Sequence, residues 1–318
     1  MPITEILMVV GFLLAAYAVV ANDSIQTLGT FLASNAQRPW WQLWIFASSI
    51  LVAVLVYGWW INSGDPAYGR LEKFPLPSGG VTIIHVLAPF ALLVLTRFGI
   101  PVSTTFLVLS VFGPGNIQSM LVKSLIGYAV AFVVAIIVYR FVVSRVTAYF
   151  HRTRDQDVPL YWVAIQWLST AFLWSQWLIQ DFANIFVFAP REVTGLVLLG
   201  ALAVLVAMQG IIFFQQGGSI QHIVTSKTMT YDIRAASIID FIFGVILMVF
   251  KEWSNMPMST TWVFLGLLAG REIAMSLQLK TNSLATTGRL ISMDAGKAFV
   301  GLVVSVIIAY IAVWFGLN

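Results

Sequence analysis

Charge is confined to short patches in this chain. Nine runs of 16 residues or more contain no Asp, Glu, Lys or Arg: 6–22, 39–64, 74–96, 98–122, 124–139, 158–180, 193–226, 253–270 and 298–318. A helix needs about 20 mostly apolar residues to cross a hydrocarbon layer about 30 Å thick, and most of these runs reach that length with their flanks. Only 9% of the 318 residues are charged and 59% are hydrophobic, whereas a soluble domain carries about 25% charged residues. Water as the only solvent is therefore excluded, and the expected fold is an all-α polytopic membrane protein. Two runs read as broken or re-entrant segments. Run 98–122 holds Pro101, Gly113, Pro114 and Gly115, and run 253–270 holds Pro257 and a polar triplet. Unwound backbone at membrane depth is tolerated only where it is buried or lines a wet cavity.

The flanks agree with a bilayer. Trp40, Trp41 and Trp44 open one run and Trp59 and Trp60 close it, which suits two interfacial belts. Arg140, Arg145, Arg152 and Arg154 fall at one helix end and the next loop, the pattern of a cytoplasmic flank. The net charge of +4 forms no long basic stripe, so nucleic acid is not an expected partner. The run from Ile6 follows Glu5 and has neither a basic flank nor a small-residue cleavage site, so it reads as a retained span and not a signal peptide. Absence of cysteine excludes disulfides and thiolate metal sites, and His85, His151 and His222 are too scattered for zinc. The expected location is the plasma or inner membrane, multi-pass, with lipid as a partner and a homodimer compatible with the sequence.

Self-similarity organises the chain. Asn22-Asp23 is a polar break in the first apolar segment, and Gln180-Asp181 is one in the segment beginning at Val158. Pro101-Val102-Ser103-Thr104-Thr105 recurs as Pro257-Met258-Ser259-Thr260-Thr261, 78 positions after Asp23 and 76 after Asp181 respectively. Ser119-Met120 before Lys123 is echoed by Ser292-Met293 before Lys297, each leading into a long apolar helix. Residues 1–154 and 155–318 are therefore expected to be two structural repeats within one membrane domain. Hydropathy leaves their parity open. Interrupted helices at matching positions favour inverted topology, with the broken segments meeting at a midplane site.

These motifs suit ion chemistry. A carboxylate inside an apolar span is costly, so Asp23 and Asp181 are expected to face the interior and serve an ion or proton path. The alternative for Asn22-Asp23-Ser24 is a helix ending at Ala21 with a cap at the membrane edge. Proline suits a helix's first turn, and hydroxyls beside free backbone N–H groups make an anion site without a formal charge. The bland alternative for Ser-Thr-Thr is capping or helix–helix contact. Lys123 and Lys297 are read as snorkelling residues, with charge compensation near an anion as the alternative. Arg97 suits a helix end, Asp240 a proton or cation ligand, His85 a satisfied interior histidine, and Trp162, Trp167, Trp174 and Trp177 packing or belts.

With these motifs in view, the chain resembles the inorganic phosphate transporter family of the PiT type. The family signature Gly-Ala-Asn-Asp-x-Ala-Asn-Ser-x-Gly-Thr keeps Ala-Asn-Asp and Gly-Thr in residues 20–30, and Asp-x-Ala-Asn in residues 181–184. Both Pro-x-Ser-Thr-Thr motifs are intact, although Phe106 and Trp262 stand where the family often has His. The resemblance implies cation-coupled symport by sodium or protons on an inverted-repeat fold, with no other cofactor and no enzymatic activity. It implies that Asn22, Asp23, Ser103, Thr104, Thr105, Gln180, Asp181, Asn184, Ser259, Thr260 and Thr261 surround the anion and its cations. Asn22, Asp23, Asp181 and Asn184 are the implied sodium ligands. The substrate implied is phosphate, with sulfate on the same frame as the alternative and an anion channel further off.

Overall fold

The computed structural model describes residues 3–98, 100, 102–143, 159–216, 233–253, 256–279 and 284–315, which hold helices and no strand. In order, α1 (Ile3–Ala18) passes through a π turn (Val19–Asp23) into α2 (Ser24–Ser34). Next come α3 (Trp40–Ile61), a 3-10 turn (Arg70–Lys73) and α4 (Ile83–Arg97). A π segment (Thr105–Leu109) leads into α5 (Ser110–Phe112), then a 3-10 turn (Pro114–Asn116), α6 (Ile117–Val138) and another π turn (Tyr139–Val143). The remainder is α7 (Leu160–Phe186), α8 (Gly195–Phe214), α9 (Ile233–Trp253), α10 (Thr260–Leu279) and α11 (Leu284–Trp314).

Among the described residues, five stretches are long and apolar enough to cross a membrane: Ile3–Asp23, Trp40–Ile61, Pro114–Phe141, Gly195–Phe214 and Ala285–Trp314. The 22 residues of α3 span about 33 Å at 1.5 Å per residue. Its buried residues Leu43, Ala47, Leu51, Leu55 and Gly58 recur every three or four positions, which makes one packing stripe. The matching stripe on α8 is Leu198, Ala201, Leu205, Gln209 and Ile212. Trp44 Nε1 donates to the Val206 carbonyl at 3.0 Å and Ser48 to Gln209 Oε1 at 3.0 Å, pinning the two helices together. Their outer faces leave Ile45, Val52, Val56, Leu196, Leu199 and Ile211 bare, a surface that calls for lipid.

The interior is made by closer contacts. Gly266 and Gly270 lie one turn apart on α10, and a Cβ at either would come within 2.3 or 2.2 Å of the Tyr128 or Phe132 carbonyl oxygen of α6. Gly127, Ala131 and Ala135 line the facing side of α6, so small residues let the two backbones touch. The second half of α7 is buried on every side. There Trp174 and Trp177 stack with centroids 5.0 Å apart, and Trp174 Nε1 donates to the Ala47 carbonyl at 3.0 Å. These two tryptophans pack the core, while Trp162 stands half-buried near the start of α7.

Several expectations need correction. The alternative of a helix ending at Ala21 is not met: Ser24 N–H reaches the Val19 carbonyl in π geometry, and the Ser24 hydroxyl donates to the Val20 carbonyl. The polar pair therefore lies in a widened turn of a continuing helix, a feature common at functional sites. Gln180-Asp181 does not interrupt α7 at all, because Asn184 pairs with Asp181 along the helix at 2.6 Å and Gln180 is held by α9, so no backbone break is required. Run 74–96 becomes helical only at Ile83, after Pro75, Pro77, Gly79 and Gly80. Lys123 and Lys297 lie within α6 and α11 rather than before them. Pro101, the side chain of Gln26, Arg145, His151, Arg152, Arg154, His222 and most of the stretch Gln215 to Arg234 lie outside the described residues.

Candidate functional site

The widened turn aims Asn22 and Asp23 into the interior, where both are buried. Asp23 Oδ1 accepts from Asn22 Nδ2 at 2.6 Å, and Oδ2 accepts from the Thr104 hydroxyl. Both oxygens of this carboxylate are thus engaged, one of them by the first Ser-Thr-Thr segment. Asp181 is joined to the same segment by the next residue, Thr105, and its charge acts on Asp23. Its own Oδ1 accepts from Asn184 Nδ2 at 2.6 Å and from Thr105 at 3.5 Å, and Thr260 stands beside it. Asp181 Oδ2 and Asn184 Oδ1 are fully buried and have no hydrogen-bond partner. Leaving such atoms unmet costs about 1–3 kcal/mol each, and carboxylate and amide oxygens of this kind can accept a donor or a cation.

Thr105 is the crossing point. Its hydroxyl donates to the Met258 carbonyl at 3.2 Å and accepts from Asn184 at 3.3 Å, tying the first Ser-Thr-Thr segment to the second and to α7. Ser103 and Ser259 act alike, their Oγ atoms accepting from Phe106 N–H and Trp262 N–H, each at 3.2 Å. That is capping, and it occupies a lone pair of each hydroxyl while leaving its O–H as a donor. Thr261 is buried beside Thr260. Gln180 faces elsewhere: its Nε2 donates to the Leu247 carbonyl at 3.1 Å and its Oε1 receives Arg70.

Two basic residues border this centre, Lys123, whose motif is echoed at Lys297, and Arg70, which no duplicated motif marks. Lys123 is buried and donates to the Met256 carbonyl at 2.7 Å, just before the second Pro-x-Ser-Thr-Thr segment, so it does not snorkel. Its neighbour Ser124 accepts from Ser259 N–H at 2.9 Å. Lys297, by contrast, is exposed. Pro114-Gly115-Asn116 was the available signal, because a helix started there puts Lys123 two turns inside. Arg70, buried in the loop between α3 and α4, left no signal in periodicity or spacing.

Other candidates fall outside the centre. Asp240 accepts from Thr30 and Thr170, each at 2.6 Å, in a separate buried cluster between α2, α7 and α9. His85 caps α4, its Nδ1 accepting Thr82 N–H at 3.2 Å, while its buried Nε2 has no partner. Arg97 is exposed in the last turn of α4. No group of three or more His, Cys, Asp and Glu able to hold a metal occurs among the described residues. The oxygen set of Asp181 and Asn184 nevertheless suits a hard monovalent cation, for which carboxylate and carbonyl oxygens are the fitting ligands.

Fold and site together define an integral, multi-pass helical membrane protein with a buried acid and hydroxyl centre where irregular helices meet. No family model and no curated protein matches the sequence. A solved structure described as "The sodium-dependent phosphate transporter" has the same fold, with a TM-score of 0.62 at 16% sequence identity over 98% of this chain and 99% of that chain. The helical fold of that solved structure thus extends along nearly the whole of this chain.

Proposed function

We propose that this chain is a secondary transporter that carries inorganic phosphate together with sodium or protons. The observation that carries this reading is the linked network Asn22–Asp23–Thr104 and Thr105–Asp181–Asn184, drawn from segments far apart in sequence. Two carboxylates repel a divalent anion in a low-dielectric interior unless a cation intervenes. Asp181 Oδ2 and Asn184 Oδ1 supply oxygens for that cation, with Asn22 and Asp23 beside them. Ser103, Ser259, Thr260 and Thr261, with the N–H groups of the adjoining helix starts, supply donors for the anion, while Thr104 gives its hydroxyl proton to Asp23. Cation and anion then stabilise each other, and neither enters well alone.

The halves 1–154 and 155–318 act as inverted repeats in this reading. Matched neighbours support it: α1 packs on α4 as α7 packs on α9, and α6 packs on α10 as α11 packs on residues 105–112. Rocking of one such pair against the other exposes the centre to each side in turn.

The test is uptake of labelled phosphate into liposomes containing the purified protein, under a sodium or a proton gradient, with unlabelled sulfate as competitor. Gradient-driven uptake that sulfate competes with poorly is expected. Sulfate uptake without phosphate uptake would assign the same frame to sulfate, and currents far above carrier turnover would make it a channel.

A further inference from the structure

The loop between α3 and α4 delivers a guanidinium into the protein. Asp65 organises it, its Oδ1 accepting Ala67 N–H and its Oδ2 Gly69 N–H, both at 2.7 Å. Gly69 at φ 73° then turns the chain in a left-handed conformation that glycine adopts without penalty. The loop is fastened along its length. Tyr68 donates to the Val54 carbonyl at 2.6 Å, Asn116 to the Lys73 carbonyl at 2.7 Å, and Arg191 to the Phe74 carbonyl. Arg70 is consequently placed with little slack, and it is 2% exposed.

Its donors are underused. The guanidinium donates to Gln180 Oε1 at 3.5 Å, which is long, and its Nε has no partner. It makes no ion pair among the described residues. Burial lowers its pKa to about 10, with the charges of Asp181 and Asp65 holding it up, so it stays a cation at neutral pH. A structural counter-ion of Asp181 would touch that carboxylate. Here Asp181 Oδ2 and Arg70 Nε are both unpartnered, although each charge acts on the other. Arg70 contacts Gln180, the residue next to Asp181, and not the Asp181 carboxylate itself. Lys123 adds a second buried cation next to the second Pro-x-Ser-Thr-Thr segment, at the Met256 carbonyl, and its charge and that of Arg70 act on each other.

We propose that Arg70 is a ligand of the transported oxyanion, meeting it from the loop side while the paired Ser-Thr-Thr segments meet it from the other. This rests on the transporter reading and extends it to the recognition of charge and shape. A planar fork of N–H groups takes two oxygens of a tetrahedral anion at once. It therefore favours phosphate, arsenate and sulfate over halide.

Wild type, Arg70→Lys and Arg70→Gln are to be compared in proteoliposomes. KM for phosphate is measured at saturating driving cation, and half-saturating cation at saturating phosphate. The same proteins in detergent are followed for thermal stabilisation by inorganic phosphate. Arg70→Gln is expected to raise the phosphate KM at least tenfold and change half-saturating cation less than twofold. Arg70→Lys, which keeps the charge and loses the fork, should raise KM at least threefold and lose most of the phosphate-induced shift in melting temperature. An unchanged phosphate KM with altered cation dependence would make Arg70 a counter-ion of Asp181 and overturn the proposal. Should Arg70→Gln fail to fold, Arg70→Lys decides alone, with a wild-type KM as the overturning result. Should wild type carry neither phosphate nor sulfate, the transporter reading fails. Phosphate stabilisation lost in Arg70→Lys would then still support the anion site, and equal stabilisation of both proteins would refute it.

Discussion

Replacing Gly266 or Gly270 with valine tests whether the contact of α6 and α10 holds the centre together. A Cβ at position 270 would sit 2.2 Å from the Phe132 oxygen and 2.9 Å from the Ala135 Cβ, and one at 266 would sit 2.3 Å from the Tyr128 oxygen. The obstacles are mainly helix backbone, so the helices must part by about 1 Å to restore van der Waals contact, and such overpacking costs typically 1–3 kcal/mol. The consequence reaches the site because α10 begins at Thr260, and α6 holds the segment before it through Lys123 to Met256 at 2.7 Å and Ser124 to Ser259 at 2.9 Å. A displacement of about 1 Å takes both bonds beyond the range of useful geometry. The expected result is a lowered melting temperature in detergent and phosphate uptake reduced at least tenfold. Gly288→Ala is the control, since a Cβ there meets nothing within 4 Å and alanine favours a helix over glycine by about 1 kcal/mol. Wild-type stability and uptake in Gly270→Val would refute the close crossing and the route from packing to site.

Three further outcomes are expected. Asp23→Asn and Asp181→Asn should each abolish gradient-driven uptake while expression and elution on size exclusion persist, and normal activity in either would remove that aspartate from the centre. Lys123→Met strands a buried carbonyl that now receives a charged donor, worth about 1.5–3 kcal/mol, so thermal stability and uptake should fall; Lys297→Met, at an exposed position, should change neither. Asp240→Leu removes the acceptor of Thr30 and Thr170 and should cost stability while any uptake that remains keeps the wild-type phosphate KM. A raised KM would join that cluster to the substrate path.

What the sequence disclosed follows from which physical signals are local. Lipid exposure is written as runs without charge, so the spans around α3, α8 and α11 were legible. The duplicated Asp and Ser-Thr-Thr signals named residues that do meet, Asp23 with Thr104 and Thr105 with Asn184. Backbone response to a polar pair was not legible, because it depends on partners elsewhere. Asn22-Asp23 sits in a π turn while Gln180-Asp181 sits in an unbroken helix, although both pairs interrupt an apolar run. In α7, Asn184 one turn later and the Leu247 carbonyl on α9 satisfy the polar side chains without disturbing the helix. In the first segment Asn22 donates to its own neighbour Asp23, and the widened turn is what brings Asp23 to Thr104.

Arg70 was invisible for a related reason. Loops between spans usually hold solvated charges, and nothing in residues 62–82 distinguishes this arginine from Lys73, its neighbour in the same turn. Only the packed loop shows one of them drawn inward and the other left exposed. The duplicated motifs thus account for carboxylates and hydroxyls in matching places, while Arg70 has no repeated counterpart and Lys123 is buried where its echo Lys297 is exposed. A two-fold arrangement of groups treats its two sides alike. Asymmetric cations break that equivalence, so under the proposal that Arg70 binds the anion, the side on which the anion would be held more firmly follows from Arg70 and not from the repeated motifs.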